Sequence, residues 1–409
     1  MTARPLDVAP SRPVRLPDSG LGRGWEGAVI LGATVLLLSG GLVALYSASS
    51  VLAMRQDLPD TYYVFRQAAG ACFGFVALLA VAWIPYRVWA RLAWPIMVVT
   101  IVALLVVVLP WTHGVAPEIN GARRWLRVGV TIQPSELAKL AVVIWTAALA
   151  VKKAPHFRSM SRGMLPFLAV WGITLLLIVL EPDLSTACVI GLLGALVVFC
   201  AGARLTHFAF LGLLILPFAK DQLAVGFRAE RLAAFFNAGS DPVGAGFQVR
   251  QSLVALGSGG LTGVGPGEGR QKFGFLPEAH NDFIFAMIGE EWGLLGVLVL
   301  VTLYAMIVLV GFRVAGRAPD LFGELLAIGL TSLIALQALL HMAVGLAIVP
   351  ATGLSLPLVS YGRSNLIMTC VAVGILMSVA RASGSGRHQA ARKPAARKPA
   401  ARGTRVARA

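Results

Sequence analysis

Ten long apolar runs, separated by short polar or Gly/Pro-rich segments, dominate the hydropathy pattern of the chain. A bilayer core of about 30 Å takes about 20 helical residues, so each run reads as a spanning helix. The pattern places them at 27–48, 67–84, 92–109, 135–151, 165–180, 184–201, 205–219, 282–311, 322–349 and 364–381. Several fall short of 20 residues, and the tightly spaced fourth to seventh are candidates to tilt or break where protein or a cavity surrounds them. The fold class is therefore an all-α polytopic membrane protein, with residues 27–381 as one transmembrane domain. The segment 220–281 is too long for an ordinary connection and reads as a functional loop. It carries Gly257, Gly259, Gly260, Gly263, Gly265, Gly267 and Gly269. No GxxxxGK[ST] occurs among these glycines, which excludes a nucleotide P-loop.

Composition agrees with a bilayer environment: 57% hydrophobic, 13% charged and a mean hydropathy of +0.78. The net charge of +16 would suggest nucleic acid only if it were clustered on a soluble surface. Instead, roughly 22 of the 35 Lys and Arg lie in the termini and even-to-odd loops, including Lys152, Lys153, Arg158 and Arg162, which makes that side cytoplasmic. Both termini are inside and no nucleic-acid partner is expected. Most acids, Asp183, Glu278 and Asp282 among them, fall on the outer side, an asymmetry that topology alone does not require. Residues 1–26 are polar with no cleavable signal, and 382–409 form a basic tail with a tandem ARKPA. Both are expected to be disordered, the tail lying against anionic lipid. Cys72, Cys188, Cys200 and Cys370 sit in apolar runs without CxxC spacing and read as packing residues.

Charged groups at the edges of spans are costly and mark candidate sites. Asp282 stands where Leu276-Pro-Glu-Ala-His-Asn-Asp runs into the eighth span. There it is either a helix N-cap or a partly desolvated carboxylate that acts as general base or cation ligand. Glu290 and Glu291 lie about two turns deeper, and at least one should face a polar interior. Glu136 and Lys139, three apart, share a helix face. Arg123 and Arg124 precede them and suit a phosphate-bearing ligand. Glu181 and Asp183 share a very short outer turn in which Asp183 serves as cap or site residue. Ser360 to Asn365 belong to a shaped outer loop. Gln337 and His341 are four apart on one face and read as a buried hydrogen-bonded pair.

The segments YSASS (46–50), GARRW, QPSELAK, EPDLST, GFQVRQSLVALGSGG, RQKFGFLPEAHNDFIFAMIGEEWG and PLVSYG occur in this order across residues 28–381. In that order, on a ten-span chain, they resemble the SEDS family (shape, elongation, division and sporulation), and within it the cell-division branch. The resemblance implies a glycosyltransferase that polymerises lipid II outside the membrane during septal wall synthesis and releases undecaprenyl diphosphate. A class B penicillin-binding protein and other division proteins would be its partners, and its place the inner membrane at the division septum. It also implies that Asp282 is the essential acid, that Glu136, Lys139 and Asp183 line a central cavity, and that Arg123, Arg124, His280, Ser360 and Arg363 lie among the substrate contacts. Charge on the leaving diphosphate would be met by Arg123, Arg124, Lys139 or a divalent cation, Mg or Mn. A lipid II flippase and a non-enzymatic division scaffold are the alternatives. Three positions depart from the family pattern: Arg363 replaces a usual Gly, Asn281 a usual Thr and His341 a usual Asn.

Overall fold

The computed structural model describes residues 24–392 except 113, 119–121, 158 and 237–243; most of the polar N-terminus and the tail beyond 392 lie outside it. Among the described residues twelve α-helices follow one another: α1 (Trp25–Arg55), α2 (Tyr62–Trp83), α3 (Arg87–Val108), α4 (Pro134–Lys153), α5 (Leu165–Leu180), α6 (Leu184–Cys200), α7 (Leu205–Leu223), α8 (Gly226–Phe236), α9 (Ala245–Ser258), α10 (Ile284–Ala315), α11 (Leu321–Gly345) and α12 (Arg363–Arg392). A short hairpin, β1 (Leu126–Val128) and β2 (Val130–Ile132), turns at Gly129 between α3 and α4.

Each of the ten expected spans is occupied by a helix. Eight are long and apolar enough to cross a membrane, and α6 is an apolar helix of 17 residues. The chain is thus a multi-pass membrane protein. Helices α8 and α9 lie in the expected large loop. Helix α12 continues to Arg392, past the expected end at 381. A π-helical turn at Met160–Met164 leads into α5.

Burial separates core from lipid-facing helices. The apolar windows of α4 and α11 are 78% and 72% buried, against 28% for α2, α3 and α10. The first two form the centre, and the others expose Phe65, Val76, Val99 and Leu309. Helix α7 stands almost free of the bundle, exposing Leu205, Phe210, Leu213 and Leu216. Helices α2 and α12 form the most extensive helix pair. Small residues permit it: a Cβ on Gly374 would lie 2.6 Å from the Leu78 carbonyl oxygen, and one on Gly74 3.2 Å from Cys370 Sγ.

At the inner ends, Glu26 pairs with Arg317 (2.6 Å) and Arg313 (3.4 Å). Asp320 caps α11 through the Gly323 amide and accepts from Tyr86. The outer end is built differently. Helix α10 breaks at Gly293, whose φ is +64°, and the glycine-rich segment threads into the break. Val264 and Gly265 amides donate to the Glu290 and Glu291 carbonyls, and Leu294 and Leu295 amides donate to Gly260 and Leu261. Backbone groups freed by the kink are thus satisfied inside the protein, as a bilayer requires. The two glutamates lock the same segment with their side chains. Glu290 accepts from the Arg270 amide at 2.8 Å, while Glu291 accepts from the Gly267 amide (3.1 Å) and Ser47 Oγ (2.5 Å) and faces Lys272 Nζ at 3.6 Å. The polar interior expected around them is this backbone, and Ser47 ties the YSASS segment to it.

Candidate functional site

Asp282 lies just ahead of α10, which begins at Ile284 with Phe283 as its cap residue and no side-chain cap bond. The N-cap reading is therefore set aside. Its Oδ1 is sealed from solvent without a hydrogen-bond partner, and a Cβ on Gly353 (φ +72°) would lie 3.8 Å from Oδ2. The residue as a whole keeps some exposed surface, so the seal is at Oδ1 and not over the entire residue. Burial, and next to it the Glu278 carboxylate, push the Asp282 pKa up to about 6, with Arg231 and Arg124 pulling the other way. The carboxyl therefore changes charge near pH 6 instead of in the ordinary carboxylate range.

The surrounding loop is braced on three sides. Ser360 Oγ donates to the Asn281 carbonyl (2.8 Å) and accepts from the Leu356 amide (2.9 Å). The His280 carbonyl accepts from the Tyr361 amide at 3.1 Å. The His280 ring lies 5.2 Å from Tyr63 and 5.6 Å from Tyr361, and burial lowers its pKa, with Glu278 opposing. Both residues were expected as substrate contacts. They are buried and hold the Asp282 loop in position.

Asp183 caps α6, accepting from the Thr186 amide at 3.1 Å. Beside it, Glu181 is fully buried and neither carboxylate oxygen has a partner. Burial, reinforced by Asp183, raises its pKa to about 9, with Arg124 opposing. Glu181 is thus a neutral acid at physiological pH, a role that its sequence position beside a proline did not disclose. Glutamine should replace it with activity retained. The unfolded chain releases this proton and the folded one keeps it, so the stability penalty of Glu181 grows as pH rises from the ordinary carboxylate range to about 9. The melting temperature of Glu181→Gln should accordingly pull further above wild type between pH 5 and 9; an equal gap at all pH values would contradict a protonated Glu181.

Adjacent arginines do different work. Arg123 donates to the carbonyls of Leu109 (2.7 Å) and Ala116 (3.3 Å) and to Thr112 Oγ1 (2.9 Å). It clamps the α3–α4 connection. It also lines a cavity of about 210 Å³ with Val107, Glu118, Leu180 and Pro182. Arg124 donates to the carbonyls of Glu181 (3.0 Å) and Pro182 (2.7 Å), two of its five N–H donors, and its charge acts on Asp282 and Glu181. Two more guanidinium groups come from α8, three apart and so on one face. Arg231 acts on Asp282 and donates to the Ala351 carbonyl at 3.4 Å. Arg228 donates to Gln222 Oε1 at 2.5 Å, and its pKa is lowered by burial and by Arg124. Sequence reading missed both, because nothing in the chain order brings α8 to the Asp282 loop.

Glu136 and Lys139 form a buried ion pair at 2.7 Å on α4, and Asn365 Nδ2 donates to the same Glu136 oxygen at 3.0 Å. Lys139→Met should strand the Glu136 charge and cost about 3–5 kcal/mol, measured as a fall in the detergent melting transition. His341 Nδ1 meets the Leu354 carbonyl at 2.8 Å, and its Nε2 has no partner. The expected pair with Gln337 is therefore not formed. Arg363 packs its stem over Gly70. Among the described residues, no three His, Cys, Asp or Glu side chains group as a metal site.

The family model described as "Cell cycle protein", named for FtsW, RodA and SpoVE, matches residues 28–385. The chain belongs to this FtsW/RodA/SpoVE family. Within it, the chain is 41% identical over 354 residues to "Probable peptidoglycan glycosyltransferase FtsW" of Geobacter metallireducens, covering 86% of this chain and 94% of that relative. It is 39% identical over 352 residues to "Stage V sporulation protein E" of Bacillus subtilis, covering 86% and 95%. Among solved structures, a chain of a "peptidoglycan synthase complex" superposes with a TM-score of 0.73 at 28% identity, covering 89% of this chain and 99% of that one. RodA of Thermus thermophilus gives 0.63 at 27% identity, covering 89% and 98%. The FtsW/RodA/SpoVE match spans all ten of the apolar helices and the loop that carries Asp282.

Proposed function

We propose that this chain is a peptidoglycan glycosyltransferase that polymerises lipid II at the outer face of the membrane. The observation that carries the reading is the Asp282 carboxyl, whose Oδ1 is sealed and unpartnered and whose pKa is pushed up to about 6 by burial, against the charges of Arg124 and Arg231. Relatives named as peptidoglycan glycosyltransferases, matched across nearly their whole length, support it.

A sugar hydroxyl is a poor nucleophile until its proton is removed in the transition state. The Asp282 carboxylate takes that proton while the hydroxyl oxygen bonds to the anomeric carbon of the lipid-linked donor. The bond from that carbon to the diphosphate breaks, and the diphosphate leaves with the electron pair. Negative charge grows on the leaving group, where fixed guanidinium groups stabilise it without reorganising. Arg124, Arg228 and Arg231 occupy that role, each held by backbone or amide contacts. A divalent cation held between a carboxylate and the diphosphate itself would add to that compensation. Helix α7 is barely packed on the bundle and exposes an apolar surface along which a prenyl chain could lie. A class B penicillin-binding protein as partner and the division septum as place of action complete the proposal, in line with the solved relative that sits in a synthase complex.

The test supplies lipid II to the purified chain, alone and with its penicillin-binding partner. Glycan strands and free undecaprenyl diphosphate are the expected products. Movement of lipid II across vesicle membranes with no glycan formed would replace the reading with a flippase.

A further inference from the structure

A second basic site lies beyond the His280 cluster, at the outer ends of α2 and α12. Arg363 Cγ would stand 3.2 Å from a Cβ on Gly70, so the glycine lets the arginine stem lie close across α2. Arg66, one turn earlier on α2, has its guanidinium 5.2 Å from the Tyr62 ring centroid and donates to the Tyr62 hydroxyl. Burial raises the Tyr361 pKa, and the Arg66 and Arg363 charges both oppose it, so the two cations converge on one ring. That ring stands 5.2 Å from Tyr63, which in turn meets His280. Both arginines are half-buried, and among the described residues neither has a carboxylate within ion-pair distance. The acid of this neighbourhood is Glu278, exposed, whose charge acts on Tyr63, His280 and Asp282. Below the site, Phe65, Phe73 and Val76 face the lipid, 72%, 65% and 65% exposed.

Two half-buried cations with no acid partner among the described residues, above a lipid-facing apolar stripe and beside the Tyr62 hydroxyl, match a phosphate group carried by a lipid. Neither cation is among the charges that act on Asp282, whereas Arg124 and Arg231 are. The chemistry of joining two lipid-linked sugars distinguishes the two places. The donor's diphosphate is attached to the carbon under attack and must lie beside the base. The acceptor's attacking hydroxyl is on the sugar remote from its own diphosphate, which must therefore lie a disaccharide away. We propose that Arg66 and Arg363, floored by Gly70 and walled by Tyr62, Tyr63 and Tyr361, form a second anion site that holds the diphosphate of the acceptor lipid. The assignment rests on the polymerase reading above.

The test uses the full chain with its penicillin-binding partner in vesicles. Arg66→Gln/Arg363→Gly should raise the half-saturating lipid II concentration about tenfold with the maximal rate nearly unchanged, and Arg363→Lys should recover part of the loss. Arg231→Gln should instead lower the maximal rate. An unchanged half-saturating concentration in the double variant would overturn the proposal. So would a loss seen only in phosphatidylglycerol vesicles and not in phosphatidylcholine, which would give the site to a bilayer phospholipid. A second arm is independent of turnover: wild type should bind two undecaprenyl diphosphates per chain by native mass spectrometry and the double variant one. If the wild type makes no glycan, the polymerase reading fails on its own. Two bound diphosphates in the double variant would refute the anion site directly.

Discussion

Asp282→Asn is expected to cut the rate of glycan synthesis by about 10²–10⁴-fold, the usual contribution of a positioned general base, and at the same time to make the protein harder to melt. Both effects come from the same burial. Asp282 keeps its proton in the folded protein up to about pH 6, while the unfolded chain has released its own at lower pH. The penalty for holding it therefore builds between the ordinary carboxylate range and about 6 and persists at pH 7. Asparagine removes that penalty and keeps the shape. A variant that melts higher and turns over slowly is the signature of a residue kept for chemistry at a cost in stability. A variant that melts lower would mean that the carboxylate is a structural element, contrary to its unpartnered Oδ1.

Gly263→Ala is expected to destabilise the fold by about 3–5 kcal/mol, at the upper end of single substitutions, and to abolish synthesis. Gly263 has a φ of +83°, and its Cβ would lie 2.1 Å from the Glu291 carbonyl oxygen and 2.7 Å from the Trp292 amide nitrogen. Those atoms are backbone and cannot swing aside. The threaded segment would have to leave the α10 break, which would strip partners from Glu290 and Glu291 together. Gly257→Ala is the control: its Cβ meets nothing within 4 Å, and it lies in α9, where alanine is favoured over glycine by about 1 kcal/mol. The contrast is read as detergent melting temperature and as the yield of folded protein.

The membrane architecture was legible because hydrophobic runs report directly on the bilayer, and each expected span holds a helix. The motifs located the Asp282 loop, the Glu136–Lys139 pair and the two-acid turn for a similar reason: acids and bases at span edges are costly and stand out. What the chain order hides is which group meets which. Arg123 and Arg124 are adjacent and chemically alike, yet one clamps a loop and the other reaches the site. His280 and Ser360 sit within motifs, and only three-dimensional packing shows that they brace the loop. Arg228 and Arg231 belong to a helix in a long loop, and no local signal shows that it reaches the neighbourhood of Asp282 and Arg124. Glu181 carries no mark of its protonation, which depends on burial and on Asp183. The glycines signalled a shaped segment, but not that it fills a break in α10.

The most direct measurement of the central claim is the pH dependence of lipid II polymerisation by the purified chain with its penicillin-binding partner, wild type against Asp282→Ala. The wild-type rate should rise about tenfold per pH unit at low pH and level off above about 6, following the ionisation of Asp282, while Asp282→Ala yields no glycan strands at any pH. Glycan synthesis by Asp282→Ala at the wild-type rate would contradict the account.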